Sequence, residues 1–364
     1  MWNVNELVIA FIISCMTALI MTPLIIKIVK KYELVDQPDG KRKLHHGEKP
    51  SLGGLAIFIG VAAGYLYLQP SHPYLDEIII GAFIMILTGV LDDIYDLKPF
   101  YKLIGQVTAA AVVVSSGLII DKLTIPFAGI VYLGNFGILI TILWIVGASN
   151  AINLIDGLDG LAAGVSTIAL SSIMMMAIMD YRIIVVYLTV ILIGGTLGFL
   201  VHNFYPAKIF MGDTGALFLG YAIAVVSMFG LFKNVALFSF IVPFIVIAIP
   251  IYDTILAIIR RTLNKQGIAT ADRQHIHYRL MSMGYSHRTT VLILYGFSLF
   301  FGIMAIVFNS ATLLASLVIM VVTFLGIQLV AEMAGITYLN RKPVLRTIQK
   351  LIGIEQSADS RHKH

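Results

Sequence analysis

Long apolar runs alternate with short polar clusters along this chain, and the runs have the length of membrane spans. Eleven are legible, at about 7–26, 52–69, 77–91, 103–120, 129–149, 158–179, 183–201, 214–231, 235–259, 290–308 and 311–331. A helix crossing hydrocarbon needs about 20 apolar residues, so the pattern predicts an all-α polytopic membrane protein with about eleven transmembrane helices. Four polar clusters break the runs: Leu91-Asp-Asp-Ile-Tyr-Asp96, Asn150-Ala-Ile-Asn-Leu-Ile-Asp-Gly-Leu-Asp-Gly160, Phe210-Met-Gly-Asp-Thr-Gly-Ala216 and His275-Ile-His-Tyr-Arg-Leu280. Each stands at the end of a run, and counting runs puts all four on one face. Carboxylates cost about 2.5 to 3.5 kcal/mol each on insertion scales, so three acidic clusters meeting histidines on one surface read as a metal-dependent site.

Composition agrees. Hydrophobic residues make up 59% and charged residues 12% of the chain, with a mean hydropathy of +0.91, which excludes a soluble domain with a large core. The lone Cys15 excludes a disulfide framework or a cysteine metal site. Residues 1–6 carry no Lys or Arg, and the first cationic cluster follows the first run. That order predicts a retained first helix with its N-terminus outside. If residues 27–51 are cytoplasmic, 22 of the 25 Lys and Arg fall on the cytoplasmic side and only Lys122, Arg182 and Lys233 on the other, which places the C-terminus inside. The net charge of +5 then reflects topology and attraction to anionic membrane lipid, and no nucleic acid is needed to explain it. Residues 1–340 read as one transmembrane domain and 341–364 as a polar cytoplasmic tail. No 20-to-50-residue repeat is visible.

The clusters differ in specificity. Asp92, Asp93 and Asp96 recur within one helical turn, where carboxylates can share a hard cation, or cap a helix end. Asn150, Asn153, Asp156 and Asp159 recur every three residues, a slowly drifting stripe if the helix is continuous, richer in amides and acids than a cap requires. Asp213 precedes an apolar run, where it is either the N-cap or part of a place for a metal-diphosphate. His275 and His277, two apart, share a face of an extended loop and with Arg279 can grip phosphate, or the loop merely touches anionic lipid. Phe210 suits base stacking or interfacial anchoring. No Walker loop, serine elbow or dinucleotide fingerprint occurs.

In this order, Asp92-Asp93 with Lys102, the stretch from Asn150 to Ala163, that from Asn203 to Gly220, and His275-x-His277-x-Arg279 resemble the polyprenyl-phosphate N-acetylhexosamine-1-phosphate transferases. The likeness covers nearly the whole chain, including Pro50-Ser-Leu-Gly-Gly54. It implies transfer of a sugar-1-phosphate from a UDP-N-acetylhexosamine to polyprenyl phosphate with release of UMP, in a bacterial cytoplasmic membrane with the site on the cytoplasmic face. Catalytic roles then fall to Asp92, Asp93, Lys102, His275 and His277. Substrate contacts fall to Lys49, Asn150, Asp156, Asp159, Asn203, Phe210 and Arg279. Asn153 and Asp213 would hold Mg²⁺, with Mn²⁺ as the alternative, and a homodimer is left open.

The translocase of peptidoglycan synthesis, which transfers phospho-MurNAc-pentapeptide, carries three consecutive histidines followed by Phe-Glu. This chain instead resembles the UDP-GlcNAc branch that starts teichoic acid, O-antigen or related polymers, with Tyr278 where that branch has the last histidine of His-x-His-His-Arg. An intramembrane prenyltransferase would share the Asp cluster but leave Asn150 to Gly160 and the histidines unexplained. A secondary transporter would put its polar residues near the midplane.

Overall fold

The computed structural model describes residues 3–32, 35–36, 49–125, 129–230, 241–267, 274–335, 343–345 and 347. Thirteen helices account for most of these. In chain order they are α1 (Val4–Lys31), α2 (Gly54–Leu68), α3 (Leu75–Tyr95), α4 (Pro99–Ser115), α5 (Phe136–Ile155), α6 (Leu161–Met179), α7 (Ile183–Asn203), α8 (Gly212–Gly230), α9 (Ile241–Val246), α10 (Ala248–Leu263), α11 (Ile276–Ser282), α12 (His287–Asn309) and α13 (Leu313–Met333). Backbone polar groups in hydrocarbon must be satisfied within the segment, which is why apolar runs of this length become helices.

Among the described residues, eight helices are long and apolar enough to cross a membrane: α1, α3, α5, α6, α7, α8, α12 and α13. The chain is therefore a polytopic membrane protein. The expected count of eleven is not met on length, because α2 and α4 are apolar but shorter. The run at 235–259 also changes on folding. Its first residues lie outside those described, and the rest divides into α9 and α10 at Ile247, whose φ of −112° and ψ of 39° are not helical. Pro250 follows three residues on and has no N–H to give, which favours a break here.

The all-α expectation needs a further correction. Among the described residues two short antiparallel pairs occur, β1 (Val35–Asp36) with β2 (Lys49–Pro50), and β3 (Lys122–Ile125) with β4 (Gly129–Tyr132). The run expected to start a span at 129 is thus a strand until Tyr132. Gly129 at φ 82° and Gly134 at φ 52° adopt a left-handed backbone that a helix cannot contain.

Helix α8 is the centre, with 89% of its span buried, against 28% for α1 and 17% for α13. It packs on α3, α5, α2 and α6. Peripheral helices turn large apolar side chains outward, such as Ile12, Met16 and Ile20 on α1 and Val321 and Phe324 on α13, as hydrocarbon rather than water demands. Inside a membrane, close approach of helices depends on small residues. Ala10, Ser14, Ala18 and Thr22 form a buried four-residue repeat on α1. Against it lie Gly60 and Gly64 of α2 and Gly194 and Gly198 of α7, whose absent side chains let backbones touch.

Candidate active site

The polar ends of α2, α3, α4, α5, α6, α7 and α8 meet at one end of the bundle. Asp93, near the end of α3, is the pivot. Its Oδ1 accepts the Asp213 N–H at 2.8 Å and the Ser51 hydroxyl at 3.2 Å. Its Oδ2 accepts the Thr214 N–H at 3.0 Å and the Thr214 hydroxyl at 2.6 Å. The cap of α8 is therefore supplied from another helix, which satisfies free N–H groups of its first turn and suits their positive dipole end. This resolves the two readings of Asp213: capping falls to Asp93, and the Asp213 carboxylate is released for other work. Gly212 makes the arrangement possible, since its φ is 71° and a Cβ there would meet both Asp93 oxygens.

Asp213 accepts the Asn153 amide N–H at 2.7 Å and contacts the Lys102 ammonium. Lys102 also reaches Asp92 Oδ2 at 3.2 Å and Asn153 Oδ1 at 3.3 Å. Side chains of Asp92, Lys102 and Asp213 keep 14%, 17% and 25% exposure, so this end of the bundle is open to an incoming ligand. Four residues named from the sequence, Asp92, Lys102, Asn153 and Asp213, thus converge from α3, α4, α5 and α8.

The expected stripe from Asn150 to Asp159 holds for one turn only. Helix α5 ends at Ile155, and Asp156 to Gly160 form a turn, with Gly160 at φ 80°. Asn150 lies one turn deeper than Asn153. Its amide donates to Gln106 Oε1 at 2.6 Å and to the Val146 carbonyl at 2.8 Å, and accepts from Gln106 Nε2 at 3.3 Å, a tie between α4 and α5. Asp159 accepts the Ala207 N–H at 2.9 Å. Asn203 accepts the Gly160 N–H at 3.1 Å and donates to the Ile209 carbonyl at 2.9 Å. Tyr295 of α12 adds a bond to the Gly160 carbonyl at 2.5 Å. These bonds make the 156–160 turn and the 204–210 loop one floor. Asp156 is half-buried beside it, and its carboxyl is pushed up to about 7 by burial, with the Asp93 and Asp159 charges adding.

Half-buried Phe210 is held by its backbone, which donates to the Pro50 carbonyl at 2.9 Å and accepts from Gly53 at 3.0 Å. Lys49 lies in β2, and its side chain is outside the described part.

The histidine segment forms α11. His275 is its N-cap residue and lies 2.9 Å from Asp253 Oδ2 through Nδ1. His277 is buried, and burial holds its imidazole down to about 4, with Asp253 opposing and His275 and His287 adding to the drop. Arg279 is occupied by the Gln274 carbonyl and side-chain oxygen and by the Gly335 carbonyl. It pins α11 to the end of α13, and none of these bonds reaches the carboxylate cluster.

Sequence reasoning missed Ser51, Gln106, Thr214 and Asp253. An acid inside an apolar run was the available signal for Asp253. The other three are short polar residues whose partners lie on other helices, so nothing local marked them.

Among the described residues no three His, Cys, Asp or Glu side chains gather as a ligand set. The donors around Lys102 are two carboxylates and one amide oxygen. Hard oxygens in this number fit Mg²⁺, which takes one or two carboxylates and completes its shell with water and phosphate. They do not fit zinc, which wants N or S ligands in a closed set.

The glycosyl transferase family 4 model matches residues 77–231. A probable undecaprenyl-phosphate N-acetylglucosaminyl 1-phosphate transferase of Bacillus subtilis is 47% identical over 349 residues, covering 95% of this chain and 97% of its own. A decaprenyl-phosphate N-acetylglucosaminephosphotransferase of Mycobacterium tuberculosis is 37% identical over 288 residues, 70% of this chain and 71% of its own. A phospho-N-acetylmuramoyl-pentapeptide-transferase of Lactobacillus gasseri is 37% identical over 239 residues, 61% and 75%.

Proposed function

Because this chain belongs to the polyprenyl-phosphate N-acetylhexosamine-1-phosphate transferases of glycosyl transferase family 4, we propose that it transfers GlcNAc-1-phosphate from UDP-GlcNAc to undecaprenyl phosphate. An oxygen of the lipid phosphate attacks the sugar-side phosphorus, the phosphoanhydride bond breaks, and UMP leaves with the bridging oxygen. The product is a lipid-linked diphosphate sugar, the starting unit of an envelope polymer such as teichoic acid or O-antigen. The observation that carries this is 47% identity along 95% of the chain to a relative of that name. The peptidoglycan-type relative covers 61%.

Such a transfer needs alignment and charge neutralisation more than covalent machinery. A divalent cation, Mg²⁺ in our reading with Mn²⁺ as the alternative, would be held by Asp213 and Asn153 and would neutralise diphosphate oxygens. Lys102, whose ammonium bridges Asp92 and Asp213, would neutralise a second phosphate. Asp92 orients the lipid phosphate or takes its proton. Asp93, with four donors on its carboxylate, acts by setting where Asp213 stands. Asp156 and Phe210 face the uridine end, and Asp159 and Asn203 brace the floor beneath it. His275 would meet the sugar or phosphate, and His277, buried against Gly157, braces the 156–160 turn.

An apolar cavity of about 350 Å³, lined among others by Phe58, Phe83, Phe218 and Tyr221, lies between α2, α3, α7 and α8. Along α8 it starts five residues beyond Asp213, a rise of about 7.5 Å, which offers room for part of the prenyl chain. Counting α2, α4 and the run that ends in α10, we read eleven crossings, the N-terminus outside and the C-terminus inside. The site then faces the cytoplasm from the bacterial cytoplasmic membrane, in line with the 22-to-3 split of cationic residues.

Purified protein incubated with Mg²⁺, undecaprenyl phosphate and UDP-GlcNAc should release UMP, and chelation should stop it. UDP-MurNAc-pentapeptide should release little, since a pocket shaped for a small sugar pays about 1–3 kcal/mol or more for overpacking. Equal turnover of both donors would sink the branch assignment and leave the chemistry standing.

A further inference from the structure

Asp253 sits on α10 and is only 2% exposed. A buried carboxylate is costly unless it is paired and bonded, and a helix as short as α11 can start on an uncharged cap. The charge therefore needs another reason to be there. Its Oδ2 lies 2.9 Å from His275 Nδ1, and its Oδ1 accepts the Ile276 N–H at 3.0 Å. One carboxylate thus fixes both the ring of His275 and the backbone on which the ring stands.

The contacts continue inward. The rings of His275 and His277 are parallel to within 5°, their centroids 5.8 Å apart. His277 is 1% exposed, and its Nε2 has no hydrogen-bond partner among the described residues. That nitrogen faces Gly157: a Cβ there would stand 2.3 Å from it. Gly157 belongs to the turn that carries Asp156 and Asp159.

We propose that Asp253 is a positioning residue for the transfer reaction. It holds His275 in the tautomer protonated at Nδ1 and, through the parallel rings, seats His277 on the 156–160 turn. A carboxylate only accepts, so the shared proton lies on Nδ1 and Nε2 is left as the ring's second functional atom. An amide in its place reverses this. In Asp253→Asn the side-chain oxygen still serves the Ile276 N–H, but the NH₂ faces Nδ1 and calls for a lone pair there. Volume and helix start are kept, and the tautomer is inverted.

The assignment rests on the transferase reading for its kinetic assay, and the test separates the two. Wild type, Asp253→Asn, His275→Ala and the double variant are purified in detergent. UMP release with UDP-GlcNAc is then measured alongside thermal midpoints and ¹⁵N spectra of the histidine rings above about pH 8, where free imidazole is neutral. We expect kcat of Asp253→Asn to fall about 100-fold with KM within about threefold. The His275 signals should change from the Nδ1–H to the Nε2–H pattern, and Asp253→Asn should cost nothing more in the His275→Ala background. An unchanged tautomer, a kcat within about fivefold of wild type, or an equal further loss in that background overturns the proposal. If wild type releases no UMP from UDP-GlcNAc, the donor assignment fails, and the ring spectra still decide whether Asp253 sets the tautomer.

Discussion

Asp93 and Asp213 lie hydrogen-bonded at the same corner yet do different work, and single substitutions should separate them. Asp213→Asn keeps the size of the side chain and removes the charge that a cation and Lys102 meet, so UMP release should fall by about 100-fold or more. Its partly exposed ion pair contributes little to the fold, so thermal unfolding in micelles should shift by less than about 1 kcal/mol. Asp93→Asn should lower activity and stability together, because four donors lose their carboxylate and an unsatisfied buried donor costs about 1–3 kcal/mol. Equal unfolding midpoints for the two variants would refute the division of roles. Asp156 carries a pH signature. Its carboxyl is raised from 3.8 to about 7, so the folded protein binds a proton in that window that the unfolded chain does not. Its contribution to stability is full below about pH 3.8 and is lost as pH rises through about 7. His277, lowered to about 4, acts oppositely, with stability lost as pH falls from about 6.5 towards 4. Asp156→Asn should therefore remove the component of the thermal midpoint that declines between about pH 4 and 7 and leave the acid limb set by His277 in place. A variant whose decline matches wild type would show that another group causes it.

Helices in hydrocarbon gain no hydrophobic free energy from meeting each other, so their association depends on fit. The α1, α2 and α7 seam shows this. A Cβ on Gly198 would lie 2.1 Å from the Cys15 carbonyl oxygen, and one on Gly194 2.7 Å from that of Phe11. Backbone cannot swing aside as a side chain does, so Gly198→Ala should push α7 off α1 at a cost of about 1–3 kcal/mol. Size-exclusion recovery and the unfolding midpoint should both drop. A change of Gly147, which has open space around it, is the matched control, and equal behaviour of the two would show that the seam is not tight. The same logic applies at the active end. Gly89 meets the Thr214 backbone, and without that approach Asp93 would not reach the first turn of α8.

On the scale of the whole molecule, the polar ends of seven helices share one face, and the β3–β4 hairpin and the Asp180–Asn309 bond belong to the connections at the other. Single cysteines introduced into a Cys15→Ser background offer a direct check of orientation. Positions near Arg261 and Lys98 should react with an impermeant maleimide only after the membrane is opened. Positions near Lys122 and Arg182 should react in intact cells. If Lys98 and Arg261 label from opposite sides, α10 and α11 cannot serve the Asp213 cluster, and the single-site reading falls.

How much of this was legible beforehand differs by kind of interaction. The polytopic character of the chain and the clustering of charge at the ends of its apolar runs are properties of contiguous residues, since hydrocarbon excludes polar groups wherever they stand in the fold. The sequence alone determined those, and with them Asp92, Lys102, Asn153 and Asp213 as members of one site. It could not determine that Asp93 caps α8, that Asn150 is tied to Gln106, or that Arg279 is pinned to Gly335, because a polar side chain shows its chemistry in sequence but not its partner. Pro250 was a local signal for the break at Ile247, whereas the end of α5 before Asp156 was likewise hidden, since a three-residue spacing is compatible with an unbroken helix. Those outcomes rest on contacts between residues as much as 121 positions apart, as from Asp93 to Thr214. Tertiary packing decided them, because only the closed bundle brings the donors and acceptors of separate helices within reach.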